Sequence, residues 1–275
     1  MLDVLAAGIA QLTSSKGWKG WLDMQSRFYR YSFGNVLLIQ VQRPDATHVA
    51  GFHAWRRLGR QVRKGERAIW ILAPLRRRVA VRSDHANETS EVNRALAGFR
   101  AAAVFDVRQT EGYELPAIPI RKLAGGDPGA LYARLSGVAD ALGFSVEEDH
   151  LDGRRNGDCN HVTKRIRIEE RNEPLHRVKT LAHELAHAVL HPAGYLDTPR
   201  PEAELEAEST AYVVCSALGF GSGDYSFGYV AAWIGGGDEA IAAIKASAQR
   251  IQRAAAELIG LLGLDEGGLE DTEAA

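Results

Sequence analysis

The residues that could do chemistry crowd into TLAHELAHAVLH, residues 180–191. There His183, His187 and His191 follow one another at intervals of four, and Glu184 stands directly after the first. Four residues along an α-helix return a side chain to nearly the same direction one turn on, so His183 and His187 can aim two imidazole nitrogens at one ion. A carboxylate one position after the first histidine can reach water at that ion and act as general base, the HExxH logic of metal-dependent hydrolases. The helix rise excludes His191 as a third ligand: at about 1.5 Å per residue it stands about 12 Å along the axis from His183. Ala188, Val189 and Leu190 offer no break that would fold it back. His191 reads instead as a polar residue closing the helix, where a histidine complements the dipole.

The third ligand is expected in PEAELEAESTAYVV, 201–214. Glu204 and Glu208 share a helix face that turns apolar at Ala207, Ala211 and Val214. Carboxylates on such a face are costly unless something positive receives them. We assign Glu204 as metal ligand and Glu208 as the carboxylate that orients a ligand histidine through its other ring N–H, the reverse assignment being the alternative. Glu202 and Glu206 read as an ordinary exposed acidic face. Two histidines, a glutamate and an open fourth position make zinc the default ion, with manganese or cobalt as alternatives, and Glu184 the catalytic base for attack of water on an amide carbonyl. Donors for the developing oxyanion are sought at Tyr195, Tyr225, Tyr229 and His176 by proximity in the chain, although the tyrosines read first as ordinary core packing.

The elements that must position these groups follow from patterning. Pro174 suits the first turn of the helix that carries the histidines. A second acidic helix over roughly 201–218 ends at Gly219, YSFGYVAAWIG suggests a third, and DEAIAAIKASAQRIQRAAAELIGLLG a last, with Ile241, Ile244, Ala248, Ile251 and Leu258 on one face. Upstream, LYARLSGVADALG is expected as helix, with strands at FSVEE and at HVTKRIRIEE, where Val162, Ile166 and Ile168 alternate with basic residues. The first half offers helices over 2–14, 17–31 and FGNVLLIQVQ, the last capped by Ser32, then a short helix GFHAWRRLG stopped by Gly59. Strands follow at AIWILAP, bounded by Pro74, at RRRVAVR, and at FRAAAVFDVRQT beyond a polar loop.

The 275 residues suffice for two domains. Charge divides them: residues 1–125 carry 20 Lys+Arg against 10 Asp+Glu, and residues 126–275 carry 13 against 25. We therefore expect an α+β chain of two domains, 1–122 and 131–263, joined by a linker at 123–130 and followed by an acidic tail at 264–275. The first would be an α+β domain, the second mainly helical with a small sheet. No apolar run is long enough for a membrane span, no leader is evident, and Cys159 and Cys215 form no CxxC pair, which suits a cytoplasmic setting.

Between Arg56 and Arg82 stand ten basic residues against the single acidic Glu66. That density suits phosphate binding, and single-strand binders add aromatic platforms for stacking bases. The expected nucleic-acid contacts are Trp55, Arg56, Arg57, Arg60, Arg63, Lys64 and Arg67, with Phe28, Trp70 and one of the early tryptophans assigned to the core.

HELAH followed by ExxAE on the next helix resembles the ImmA/IrrE-type metallopeptidases. That resemblance implies that Glu204 is the third ligand, with Glu208 standing where asparagine is common. RFYRYSFGNVLLIQVQRPDATHVAGFHAWRRLGRQVRKGERAIWILAP, 27–74, and VFDVRQTEG, 104–112, resemble the N-terminal single-stranded-DNA-binding domain of ArdC-type antirestriction proteins. Together the two halves are similar to the full ArdC architecture. What the resemblance implies is a protein that coats single-stranded DNA arriving on a plasmid or phage and shields it from restriction enzymes, with a zinc peptidase domain acting on a protein substrate. A DNA-protecting protein with a structural metal site, and a regulatory protease that cleaves a repressor, are the competing readings.

Overall fold

The structure is a computed structural model that describes residues 1–80, 92–114, 127–153, 155–193, 197–220 and 238–263. The expected helix at 225–235, the tail at 264–275 and part of the expected linker lie outside the described residues. The chain is mixed helix and strand in two compact units.

The first unit is Asp45–Tyr113. Its main sheet has the order β1-β4-β3, from β1 (Val49–Gly51), β3 (Ile69–Ala80) and β4 (Val92–Asp106), all antiparallel. A second ribbon pairs β2 (Arg60–Val62) with β5 (Thr110–Gly112). The sequence suggested two strands separated by Pro74, but β3 runs through it, with Pro74 opposite Phe99 and a register shift at Leu75/Arg76. An edge strand tolerates proline because its missing N–H need not serve the ladder, and β3 lies at the edge of the sheet that the described residues form. The segment 104–112 ties the unit together through polar groups in the interior. The buried Asp106 carboxylate accepts from the backbone N–H groups of Thr47 (2.7 Å), His48 (3.2 Å) and Arg108 (2.9 Å). The Gln109 amide donates to the Arg67 carbonyl at 2.7 Å.

The second unit combines Leu2–Pro44 with the described residues of Glu114–Gly268. It opens with α1 (Leu2–Gln11), α2 (Ser15–Arg27) and α3 (Phe33–Gln42), where the Ser32 hydroxyl accepts from the Asn35 amide as its cap requires. Counting α4 (Phe52–Arg57) in the first unit, α5 (Pro128–Ala141) comes next and leads into a sheet of order β6-β8-β7. In it β6 (Ser145–Asp149) runs parallel to β8 (Arg165–Glu169), and β7 (Gly157–Asn160) antiparallel to it. Ile166 and Ile168 of β8 are fully buried, whereas Val162 stands in the preceding turn, 94% exposed. Then come α6 (Pro174–Leu190), α7 (Arg200–Ala217) and α8 (Asp238–Leu261). On α8, Ile244, Ala248, Ile251 and Leu258 are buried and Ile241 is exposed.

Helix α7 packs against α6, α8 and α2. The last contact separates the folded units from the boundary drawn on charge, which grouped residues 2–44 with the basic half. Trp18 and Trp21 on α2 are both buried, their rings 5.2 Å apart, and Trp21 meets Phe33 edge-on at 5.6 Å. The Trp18 indole N–H donates to the Ser209 hydroxyl on α7 at 3.0 Å, and Lys19 donates to the Tyr212 hydroxyl at 2.7 Å. Truncating Trp18 removes both packing and a hydrogen bond from this junction. Trp18→Ala is expected to cost about 3–5 kcal/mol of the second unit's stability, the usual range for a buried large aromatic. A fragment starting at Glu114 should lose the cooperative helical transition altogether. Urea unfolding followed by far-UV circular dichroism checks both, and a fragment as stable as the full chain would show the N-terminal helices to be dispensable.

Candidate functional site

Pro174 at the first turn of α6 leaves the helix uninterrupted through the HELAH stretch, so His183 and His187 lie on one side, their rings edge to face with centroids 4.8 Å apart. Glu204 approaches from α7. The three offer ligand atoms that all lie within 4.8 Å of one another, the one such group of His, Cys, Asp or Glu among the described residues. The two Nε2 atoms are 3.1 Å apart, and Glu204 Oε2 lies 3.4 Å from His183 Nε2 and 3.8 Å from His187 Nε2. Ligands about 2.0–2.2 Å from a tetrahedral ion are spaced at roughly this separation, so the donor set fits a divalent metal. Glu208, one turn beyond Glu204, lies on the other side of the His183 ring, its Oε2 3.0 Å from Nδ1.

Glu184 is 7% exposed and lies close against β7 on the cavity wall. A methyl group at Gly157 on β7 would come within 3.0 Å of Glu184 Oε1 and 2.7 Å of Thr180 Cγ2, so only a glycine lets the strand approach the helix this closely. Strand β7 pairs with β8 on one side, and among the described residues no strand covers its other edge. Together these elements line a half-open cleft of about 670 Å³, which His176, Lys179, Arg155, Cys159 and Arg200 also border.

The electrostatics favour positive charge at the Nε2 side. Burial opposes charge on His183, but hydrogen bonds to Glu204 and Glu208 and the nearby Glu184 outweigh it and push the imidazole up to about 10. Burial lowers His187. Burial also raises the Glu184 carboxyl, with His183 pulling down and Glu204 and Asp158 adding to the rise, to about 7 in the metal-free site. The Cys159 thiol, raised chiefly by burial to about 12, stays protonated, and both cysteines are free.

Two residues of this region stand differently from the sequence reading. His191 closes α6 as expected, but it does so in the interior. It is 4% exposed, with Nδ1 3.1 Å from His187 Nδ1 and Nε2 3.3 Å from Glu206 Oε2. Glu206 is not on an exposed acidic face but fully buried, held by Ser247 and Arg250 of α8. The fixed four-residue spacing of His187 and His191 was the available signal, but spacing alone does not show that a neighbouring helix closes over it. Strand β7 was also missed, because GDCN carries no alternating apolar pattern. Of the oxyanion candidates, His176 lines the cavity, and Tyr195, Tyr225 and Tyr229 lie outside the described residues.

In the first unit the basic residues divide. Arg56 and Arg57 at the end of α4, and Lys64 and Arg67 in the turn before β3, are exposed. Arg60 is turned inward on the β2–β5 ribbon, donating to the Thr110 hydroxyl at 2.7 Å and to the Thr110 and Tyr113 carbonyls. Arg63 pairs with Glu66 at 2.9 Å and donates to the Arg108 carbonyl. Trp55 cannot stack on a base: it is fully buried, its indole N–H donating to the Phe105 carbonyl at 2.9 Å. Trp70, assigned to the core from sequence, is instead 48% exposed on β3. Phe28 is buried, and so are both early tryptophans.

Residues 5–105 match a family model described as the N-terminal domain of anti-restriction factor ArdC, and residues 141–215 match one described as the IrrE N-terminal-like domain. The first match therefore spans parts of both folded units. An uncharacterized protein of Bacillus anthracis is 24% identical over 252 residues, covering 79% of this chain and 43% of the relative, so the chain spans less than half of that relative's length. Among solved structures, the antirestriction protein ArdC of plasmid R388 in its Mn(II)-bound form matches with a TM-score of 0.54 at 18% identity, over 94% of this chain and 98% of that one. Its metal-free form matches with a TM-score of 0.47 at 20% identity, over 84% and 82%. The likeness to the Mn(II)-bound form is one of shared fold.

Replacing Gly157 with alanine should lower the second unit's stability by about 1–3 kcal/mol, the usual cost of overpacking. Thermal denaturation measures it, and an unchanged midpoint would mean that β7 can move away from α6 freely.

Proposed function

Starting from a chain that joins an ArdC-type N-terminal domain to an IrrE-like domain, we propose that this antirestriction-type protein binds single-stranded DNA through its basic unit and carries a metal-dependent peptidase site in its helical unit. The observation that carries the peptidase reading is the convergence of His183 Nε2, His187 Nε2 and Glu204 Oε2 beside a buried carboxylate, Glu184, that is not part of the ligand set. A purely structural metal site closes its fourth position and needs no such base. Zinc is the default ion for two histidines and a glutamate, and manganese, the ion named for the R388 protein's structure, is the alternative.

A divalent ion held by His183, His187 and Glu204 would supply Lewis acidity to water and to a substrate carbonyl. The chain's own groups do the rest. Glu184 accepts the proton of the attacking water and returns it to the departing amine. The edge of β7 that no described strand covers offers backbone N–H and C=O groups to an extended peptide, which would lie as an added strand along the cavity. His176 on the cavity wall is the candidate donor to the developing oxyanion. On the DNA side, Arg56, Arg57, Lys64 and Arg67 are the proposed phosphate contacts, while Arg60 and Arg63 serve the fold of the unit that presents them.

Glu184→Gln should retain one bound ion per chain and unchanged single-strand affinity while losing roughly 10²–10⁴-fold in peptide hydrolysis, the range for removing a general base. Cleavage of a defined peptide library read by mass spectrometry checks it, and a fully active variant would remove Glu184 from the mechanism. Neutralising Arg56, Arg57, Lys64 and Arg67 together should flatten the slope of log K against log salt for an oligothymidylate by up to about 3, since each single-strand phosphate contact contributes about 0.7. A slope identical to wild type would place the DNA surface elsewhere.

A further inference from the structure

Each candidate ligand histidine has a second ring nitrogen, and the two are treated differently. The Nδ1 of His183 meets a carboxylate directly, that of Glu208 at 3.0 Å. The Nδ1 of His187 meets another imidazole, with His191 Nδ1 at 3.1 Å. Two facing ring nitrogens at that distance require one to carry hydrogen and the other a lone pair. If His187 is to present a lone pair at Nε2, its hydrogen must sit on Nδ1 and be donated to His191. His191 then carries its own hydrogen on Nε2, which points at Glu206 Oε2, 3.3 Å away. Every atom of the chain is satisfied by this assignment. The opposite one would put hydrogen on the Nε2 that faces the ligand site and turn a bare imidazole nitrogen toward a carboxylate oxygen, lone pair against lone pair.

The far end of the chain is held firmly. The Glu206 side chain is fully buried and accepts from Ser247 Oγ at 2.6 Å and from Arg250 Nε at 2.9 and 3.1 Å, while Arg250 also reaches Glu202 at 2.6 Å. A carboxylate so placed is an acceptor with a fixed orientation. Ser247 and Arg250 belong to α8, which lies beyond the residues matched by the IrrE-like family model.

We infer that Arg250, Glu206 and His191 form a positioning chain that locks His187 in the tautomer able to bind a metal ion, making α8 part of the metal centre. The inference rests on the metal-site reading above. No proton is transferred along the chain; it sets which nitrogen is bare.

The test is titration of the full-length protein with Zn(II) and Mn(II) alone, in competition with a chromophoric chelator, for wild type, His191→Phe, His191→Gln and Arg250→Met, together with the metal-free melting temperature of each. Removing an orienting partner of a metal-bound histidine typically costs about 10–100-fold in affinity, and His191→Phe should weaken binding by that amount. Glutamine can accept from His187 and donate to Glu206, so His191→Gln should stay close to wild type even where its melting temperature falls as far as that of the phenylalanine variant. Arg250→Met, which leaves both histidines in place, should weaken binding to an intermediate degree. It decides the matter alone if His191→Phe does not fold, and wild-type affinity in that variant then counts against the chain. Equal affinity in wild type and His191→Phe overturns the inference while leaving the metal site intact. Equal weakening by phenylalanine and glutamine overturns it too, reducing His191 to packing. A wild-type protein that binds neither ion removes the metal-site reading and this inference with it.

Discussion

Helix α7 has to bring carboxylates into contact with the rest of the second unit on two sides at once. Glu204 and Glu208 lie one turn apart and face the histidines of α6. Glu206, on another side of the same helix, is sealed from solvent between His191 and α8. A buried carboxylate without partners costs several kcal/mol, so the packing of α7 against α8 depends on hydrogen-bonding groups meeting the fully buried Glu206, while Glu204 and Glu208 line the more open side. Arg250 and Ser247 answer one side. The imidazoles answer the other, and the pocket between them is biased toward a cation.

The same helix explains why the first 44 residues belong to this unit. Its remaining faces carry Ser209 and Tyr212, which take hydrogen bonds from Trp18 and Lys19 on α2. Two buried tryptophans, tilted against each other, with Trp21 edge-on to Phe33, supply apolar surface at this junction. The charge asymmetry of the halves had pointed elsewhere because net charge is a property of surfaces and says little about which interior a helix completes. In the first unit, too, Trp55, read from the sequence as a DNA contact, is enclosed in the interior, and the half-buried Arg60 is held on the β2–β5 ribbon. Arg56, Arg57, Arg63, Lys64 and Arg67 remain exposed there, and the indole of Trp70 with them.

Much of the secondary structure was legible, and for reasons that can be named. Ser32 and Pro174 marked helix starts, Gly59 a stop, and the spacing of Ile244, Ala248, Ile251 and Leu258 the buried face of α8. The misses were equally specific. Strand β7 exists because β8 offers it a partner and Gly157 lets it lie against α6, neither of which leaves a periodic trace. Pro74 looked like a terminus because edge position is a property of the sheet, not of the strand.

By itself the sequence determined the helix that aligns His183 with His187, the exclusion of His191 from the ligand set, and the turn-apart pair of Glu204 and Glu208, since each follows from helical rise and rotation. Only the tertiary structure decided that Glu204 meets the Nε2 side and Glu208 the Nδ1 side of His183, that His191 and Glu206 are joined in the interior, and that α2 and α8 close around α7. Those outcomes depend on how helices cross and which faces they bury, and the energy that selects among crossings is summed over contacts between residues far apart in the chain.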